Sequence, residues 1–179
     1  MKKITFITGG ARSGKSSFAL KQASRIAGKK AYIATAEALD EEMRKRIEDH
    51  REQRGREWDT FEEPLMIAEV INKIGDRYDT LVLDCLTLWL SNIMHSNLII
   101  EAEIERLISS LLSNHTSTSI FIVSNEVGMG IVPENEMARK FRDMAGLLNQ
   151  KVAGAADEVY IVVAGIPLRI KGTHDTGSN

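Results

Sequence analysis

The chain has 179 residues, 43% hydrophobic and 27% charged, which excludes a disordered or fibrous protein and predicts one domain with a sizeable core. Lys and Arg total 23 against 25 Asp and Glu, and a net charge of −2 speaks against a general nucleic-acid binder. A lone cysteine, Cys85, excludes an intramolecular disulfide and a cysteine-cluster metal site.

Met-Lys-Lys starts like a signal peptide, but the apolar stretch that follows is too short and runs into a glycine loop. Ile4 to Thr8 reads as a buried strand ending at Gly9-Gly10. Apolar residues at helical spacing from Gly14 to Ala27 predict a helix with Gly28 as its terminal glycine. Ala31 to Ala34 is a second strand. Asp40 is suited to cap a highly charged helix running to Arg54, with Gly55 ending it. Pro64 opens a helix from Leu65 to about Ile74, and Thr80 to Asp84 is a third strand, apolar on both faces.

Ile100, Ile104, Leu107, Ile108, Leu111 and Leu112 form a helical stripe, and Ser119 to Ser124 is a fourth strand. Met137 to Val152 marks a long amphipathic helix, Val159 to Val163 a fifth strand, and Leu168 to Ile170 a short sixth. Alternating strands and helices predict an α/β fold: a mainly parallel sheet with helices on both faces and ligands at the strands' carboxyl edge. Residues 1–171 are expected to form a single domain, and 172–179, with no aliphatic or aromatic side chain, a flexible tail. The expected setting is the cytoplasm, with no membrane span.

Gly9-Gly10-Ala11-Arg12-Ser13-Gly14-Lys15-Ser16 matches G-x-x-x-x-G-K-[ST] between a strand and a helix. Such a loop turns successive N–H groups towards phosphate oxygens. Lys15 reaches the β- and γ-phosphates, and the Ser16 hydroxyl is placed to ligate magnesium. Asp84, at the end of an apolar strand, stands where a magnesium-holding carboxylate belongs; the alternative is a helix cap at the strand exit. A regulatory GTPase would also carry D-x-x-G after a strand and N-K-x-D. Asp143 to Gly146 lies in a helical stripe, and Asn72 to Asp76 is one residue too long and precedes a strand.

Met43 and Ile47 begin a stripe on the charged helix that continues through His50 and Arg54. From Arg44 to Arg56, six basic and three acidic residues give a local excess of +3, a setting for nucleotide phosphates. A neutral imidazole there can attack phosphorus or relay a proton; alternatively His50 is a surface histidine beside salt bridges. His95 is placed at a helix end, His115 in a turn and His174 in the tail. Asn125 and Glu126 emerge at the carboxyl edge of the fourth strand. They are candidates for substrate amides or for the hydroxyl proton, with loop capping as the alternative.

Several segments together resemble one family: Gly9 to Ser16, Tyr32 to Ala36, Asp40 to Met43, Arg46-Ile47 with His50, Trp58, and above all Asn125 to Asn135. The match continues through Arg139, Phe141 to Asp143 and Ala145-Gly146 to Asn149. Over about Ile4 to Lys171 the chain is similar to the bifunctional adenosylcobinamide kinase/adenosylcobinamide-phosphate guanylyltransferases of cobalamin assembly. The resemblance implies a P-loop fold like that of recombinase-type ATPases. It implies that ATP or GTP phosphorylates adenosylcobinamide, and that GMP then passes from GTP through a histidine to adenosylcobinamide phosphate, with magnesium as cofactor. The guanylylated histidine falls on His50; where some members resemble His-His, this chain has Asp49-His50.

Also implied as nucleotide contacts are Gly9, Gly10, Ala11, Arg12, Ser13, Gly14, Lys15 and Ser16, then Thr35, Ala36 and Glu37. Arg51, Glu52, Gln53, Arg54, Glu62 and Asp84 complete the implied set, and the implied assembly is a homotrimer. The residues alone also accommodate a P-loop small-molecule kinase without guanylyltransferase activity, or a nucleotide-responsive binding protein.

Overall fold

The computed structural model describes residues 3–38, 40–55, 57–113 and 118–172, without the side chains of Arg46, Asp49, His50, Gln53 and Arg54. Its strands are β1 (Ile4–Gly9), β2 (Lys30–Ala34), β3 (Trp58–Glu62), β4 (Thr80–Asp84), β5 (Ser119–Val123), β6 (Glu158–Val163) and β7 (Ile166–Lys171). The helices are α1 (Lys15–Ala23), α2 (Glu41–Arg54), α3 (Ile67–Ile74), α4 (Leu86–Met94), α5 (Ile100–Leu112) and α6 (Glu136–Ala155). The strands form one seven-stranded sheet in the order β3-β2-β4-β5-β1-β6-β7. All neighbours are parallel except β6 and β7.

The predicted alternation appears as two cores on opposite faces of the sheet. On one, Ala19 and Ala23 of α1 pack with Ile7, Tyr32, Val82, Phe121, Val123 and Val162. Small residues on α1 bring the helix down onto the strands. On the other, α3, α4, α5 and α6 supply Ile67, Trp89, Leu90, Leu107, Leu111 and Leu148 against Phe6, Ile33, Leu83 and Ile122. The Trp89 indole N–H donates to the Leu65 carbonyl at 2.8 Å, so its burial leaves no unpaired donor.

Three local expectations need correction. The first helix stops at Ala23, because the hydrogen bonds of Arg25 and Ile26 tighten to residues three back, on Gln22 and Ala23. Gly28 therefore lies in the connection beyond the helix end, at φ +107°. The helix after Pro64 begins at Ile67, since Glu63 Oε1 accepts from the Leu65 and Met66 amides and holds that segment as a turn. The strand β3 was not foreseen. It is a sheet edge that buries only Trp58, so its sequence shows no apolar alternation.

The charged helix runs from Glu41 to Arg54. The Asp40 carboxylate accepts from the Met43 amide at 2.7 Å, a cap worth about 1 kcal/mol. His95 caps the C-terminus of α4, whereas His115 and His174 lie outside the described residues. Residue 172 ends the described chain, so the tail expected over 172–179 lies almost wholly outside it. Among the described residues no helix is long and apolar enough to cross a membrane.

Candidate active site

A cavity of about 510 Å³ opens at the carboxyl edge of β1, β4 and β5. Its floor is the glycine-rich loop from Ala11 to Ser16, its walls include Tyr32, Asp84 and Asn125, and Met43 and Ile47 reach it from α2. The strand order explains the convergence. β1 lies between β5 and β6, and β4 beside β5, so the loop after β1 meets the ends of β4 and β5.

The loop is braced from three sides. The Glu126 amide donates to the Gly9 carbonyl at 2.9 Å, and the Gly165 amide, in the β6–β7 turn, donates to the Ser13 carbonyl at 2.9 Å. Lys15 folds back over the loop and donates to the Gly10 carbonyl at 2.6 Å. Gly9 (φ +148°) and Gly14 (φ +96°) hold conformations that side-chain-bearing residues rarely adopt. Lys15 is 6% exposed. Burial lowers its pKa from 10.5, with Cys85 and Asp84 pulling the other way.

Asp84 shares the cavity with Lys15 and Ser16, and its Oδ2 accepts from the Tyr32 hydroxyl at 2.7 Å. The cap position of α4 belongs to Cys85, and Asp84 does not fill it. A hydroxyl and a carboxylate are the oxygen donors a hard cation takes, so Ser16 and Asp84 fit magnesium. The Cys85 thiol, also on the cavity wall, is pushed up to about 11 by burial and by the neighbouring Asp84 charge.

The other predicted contacts divide. Ala36 lines the cavity. Thr35 is wholly buried, its hydroxyl donating to the Cys85 carbonyl at 2.7 Å and accepting from the Cys85 amide at 2.8 Å. Arg51 forms an ion pair with Glu62, joining α2 to β3, and Glu37 and Glu52 are exposed. The side chains of His50, Gln53 and Arg54 lie outside the described residues; the α2 backbone carries position 50 three residues beyond Ile47.

Asn125 lines the cavity, its backbone and side-chain amides both donating to Thr87 Oγ1, at 3.0 and 2.9 Å. Glu126 Oε1 accepts from the Gly128 amide at 2.6 Å, a loop-capping bond. Tyr32, Thr87 and the Gly165 turn were not foreseen as part of the site. Their roles depend on which strands are neighbours, and no local motif announces that.

The solved structures share this architecture. The chain is similar to the RadB recombinase, at a TM-score of 0.53 and 16% identity, covering 89% of this chain and 73% of that one. It is also similar to a prototypical ATPase of a type III secretion system, at a TM-score of 0.58 and 10% identity, covering 90% of this chain and 52% of that one. Those likenesses concern the P-loop ATPase fold alone.

Sequence comparison goes further. The chain is 41% identical over 168 residues to the bifunctional adenosylcobalamin biosynthesis protein CobP of Pseudomonas aeruginosa, covering 93% of this chain and 96% of that protein. It is 39% identical over 186 residues to the corresponding CobU of Escherichia coli, covering 94% and 99%. Residues 5–170 match the model of the family described as cobinamide kinase / cobinamide phosphate guanyltransferase, and the chain belongs to that family.

Proposed function

We propose that this enzyme carries out both reactions its family is named for in one cavity, with His50 as the guanylylated residue. It phosphorylates the hydroxyl of adenosylcobinamide with ATP or GTP, then transfers GMP to adenosylcobinamide phosphate, releasing pyrophosphate. The observation that carries the reading is the juxtaposition of the braced loop with α2: Met43 and Ile47 line the loop's own cavity, and position 50 follows one turn later.

In the guanylyl step a neutral His50 ring nitrogen bonds to the α-phosphorus of GTP as the bond to the β-phosphate oxygen breaks. A phosphate oxygen of the acceptor then attacks the same phosphorus, forming adenosylcobinamide-GDP and returning His50. The loop amides and Lys15 stabilise the charge that collects on departing pyrophosphate. Ser16 and Asp84 would hold magnesium, which when bound neutralises phosphate charge. Arg51 and Glu62, paired with each other, and Arg54 are proposed to border the nucleotide. Asn125 is better placed for the acceptor than Glu126, because it lines the cavity while Glu126 bonds its own loop.

We also place the protein in the cytoplasm as a homotrimer. The uncovered apolar face of the β6–β7 hairpin, with Val163, Ile166, Leu168 and Ile170 exposed, supports assembly, and light scattering reads its order. The catalytic reading is tested with GTP labelled at the α-phosphate. The expected result is an acid-labile, base-stable protein adduct that His50→Ala abolishes; no adduct, or one that survives the substitution, refutes it.

A further inference from the structure

The β2 strand grips the Asp84–Cys85 corner at several points. In the parallel register Ala34 stands opposite Asp84, and the Thr35 amide beyond it donates to the Asp84 carbonyl at 3.1 Å. The Thr35 hydroxyl bridges the amide and carbonyl of Cys85. Two residues before Ala34, the Tyr32 hydroxyl donates to Asp84 Oδ2 at 2.7 Å. The tyrosine is itself fixed. It is 2% exposed, and its ring meets Trp58 edge-on, with centroids 6.3 Å apart at 89°.

We propose that Tyr32 is a positioning residue for the magnesium-binding carboxylate. Its hydroxyl sets the rotation of the Asp84 carboxyl group and thereby the oxygen left to meet a cation held with Ser16. Backbone bonds from Thr35 hold the corner in place, and the phenol aims the side chain. A carboxylate oxygen that already accepts one charge-assisted hydrogen bond is restrained against swinging, which is how outer partners tune a metal site. The role rests on the nucleotide-binding reading of the cavity and assigns Tyr32 an action that passes through Asp84.

The test measures binding of a fluorescent GTP analogue, without turnover, as magnesium is titrated into wild type, Tyr32→Phe, Asp84→Asn and the double variant. Tyr32→Phe keeps the ring against Trp58 and removes only the hydroxyl. It is expected to need about tenfold more magnesium for half-maximal enhancement over its own binding in EDTA. In the Asp84→Asn background the same substitution is expected to change nothing further.

A Tyr32→Phe titration that overlays wild type, with Asp84→Asn shifted, overturns the positioning role alone. Equal shifts from Tyr32→Phe in both backgrounds also overturn it, because the effect would then not pass through the carboxylate. Wild-type binding that ignores magnesium overturns the Ser16–Asp84 reading and the role of Tyr32 with it.

Discussion

Substituting alanine at three glycines of the loop separates backbone demand from room for a ligand. At Gly9 an added Cβ would run into the Val162 carbonyl of β6 and sit 2.9 Å from Ser13 Oγ, on a backbone at φ +148°. The serine can turn away, but Val162 is held in the sheet by its pairing with β1 and β7. Backbone strain of about 1–3 kcal/mol and overpacking of about 1–3 kcal/mol together put Gly9→Ala near 4 kcal/mol. With a urea m-value of about 2 kcal/mol/M, the midpoint falls by about 2 M.

At Gly14 the added carbon meets Gly165 Cα at 3.4 Å, an ordinary contact, so only the left-handed conformation at φ +96° costs, about 1–2 kcal/mol. At Gly10 nothing lies within 4 Å, and Gly10→Ala should stay within about 0.5 kcal/mol of wild type. Urea unfolding followed by the fluorescence of buried Trp58 and Trp89 ranks the three. If Gly9→Ala lies within 1 kcal/mol of wild type, or Gly10→Ala costs as much as Gly9→Ala, the steric reasoning is refuted. Since Gly10→Ala should leave the fold intact, any loss of GTP binding in it reports phosphate approaching that point of the loop.

Two further outcomes concern ionisation. Cys85 is 7% exposed with a pKa of about 11 against an ordinary 9.0, so near pH 8 it holds about 100-fold less thiolate than an unfolded cysteine. Ellman's reagent should label it slowly in the native protein and rapidly in urea; equal rates contradict the burial. Lys15 has a folded pKa below its unfolded 10.5, so between those values the unfolded chain binds more protons and stability rises with pH. The stability of wild type relative to Lys15→Met should therefore increase between pH 8 and pH 10.5, as read from paired urea midpoints. A decrease over that range refutes the desolvation argument.

What was legible in the sequence follows from how local each signal is. Strands β1, β4 and β5 are largely apolar, buried runs with clear ends, and the phosphate loop is eight consecutive residues between a strand and a helix. Asp84 could be picked out because a carboxylate at the end of an apolar strand is conspicuous. The braces were not legible. Tyr32 reaches Asp84 only because β2 lies beside β4, and Gly165 reaches Ser13 only because β6 lies beside β1. Strand β3 was missed for a different reason. An edge strand that buries one tryptophan needs no alternating pattern, and its Asp59 and Thr60 are exposed. Thr35 lies in the family-like segment Tyr32 to Ala36, yet its hydroxyl is spent on the backbone of Cys85.

The two sides of the cavity are held by different forces. On the loop side Lys15 is buried, the Gly9 and Ser13 carbonyls are hydrogen-bonded to other elements, and Asp84 and Asn125 are tied to Tyr32 and Thr87. The α2 side differs: none of its described side chains is buried, and it meets the cavity through Met43 and Ile47 while Arg51 pairs with Glu62 at the surface. Exposed ion pairs add little to stability, whereas buried apolar area and bonds between elements add much, so the preorganised part of the site is the loop and strand ends. That division suits the two proposed reactions. Both need the same fixed grip on phosphate oxygens, which must be rigid to stabilise leaving-group charge. They differ only in which phosphorus is attacked and by which nucleophile, and the histidine proposed for one of them is carried by the side that contributes least to the core.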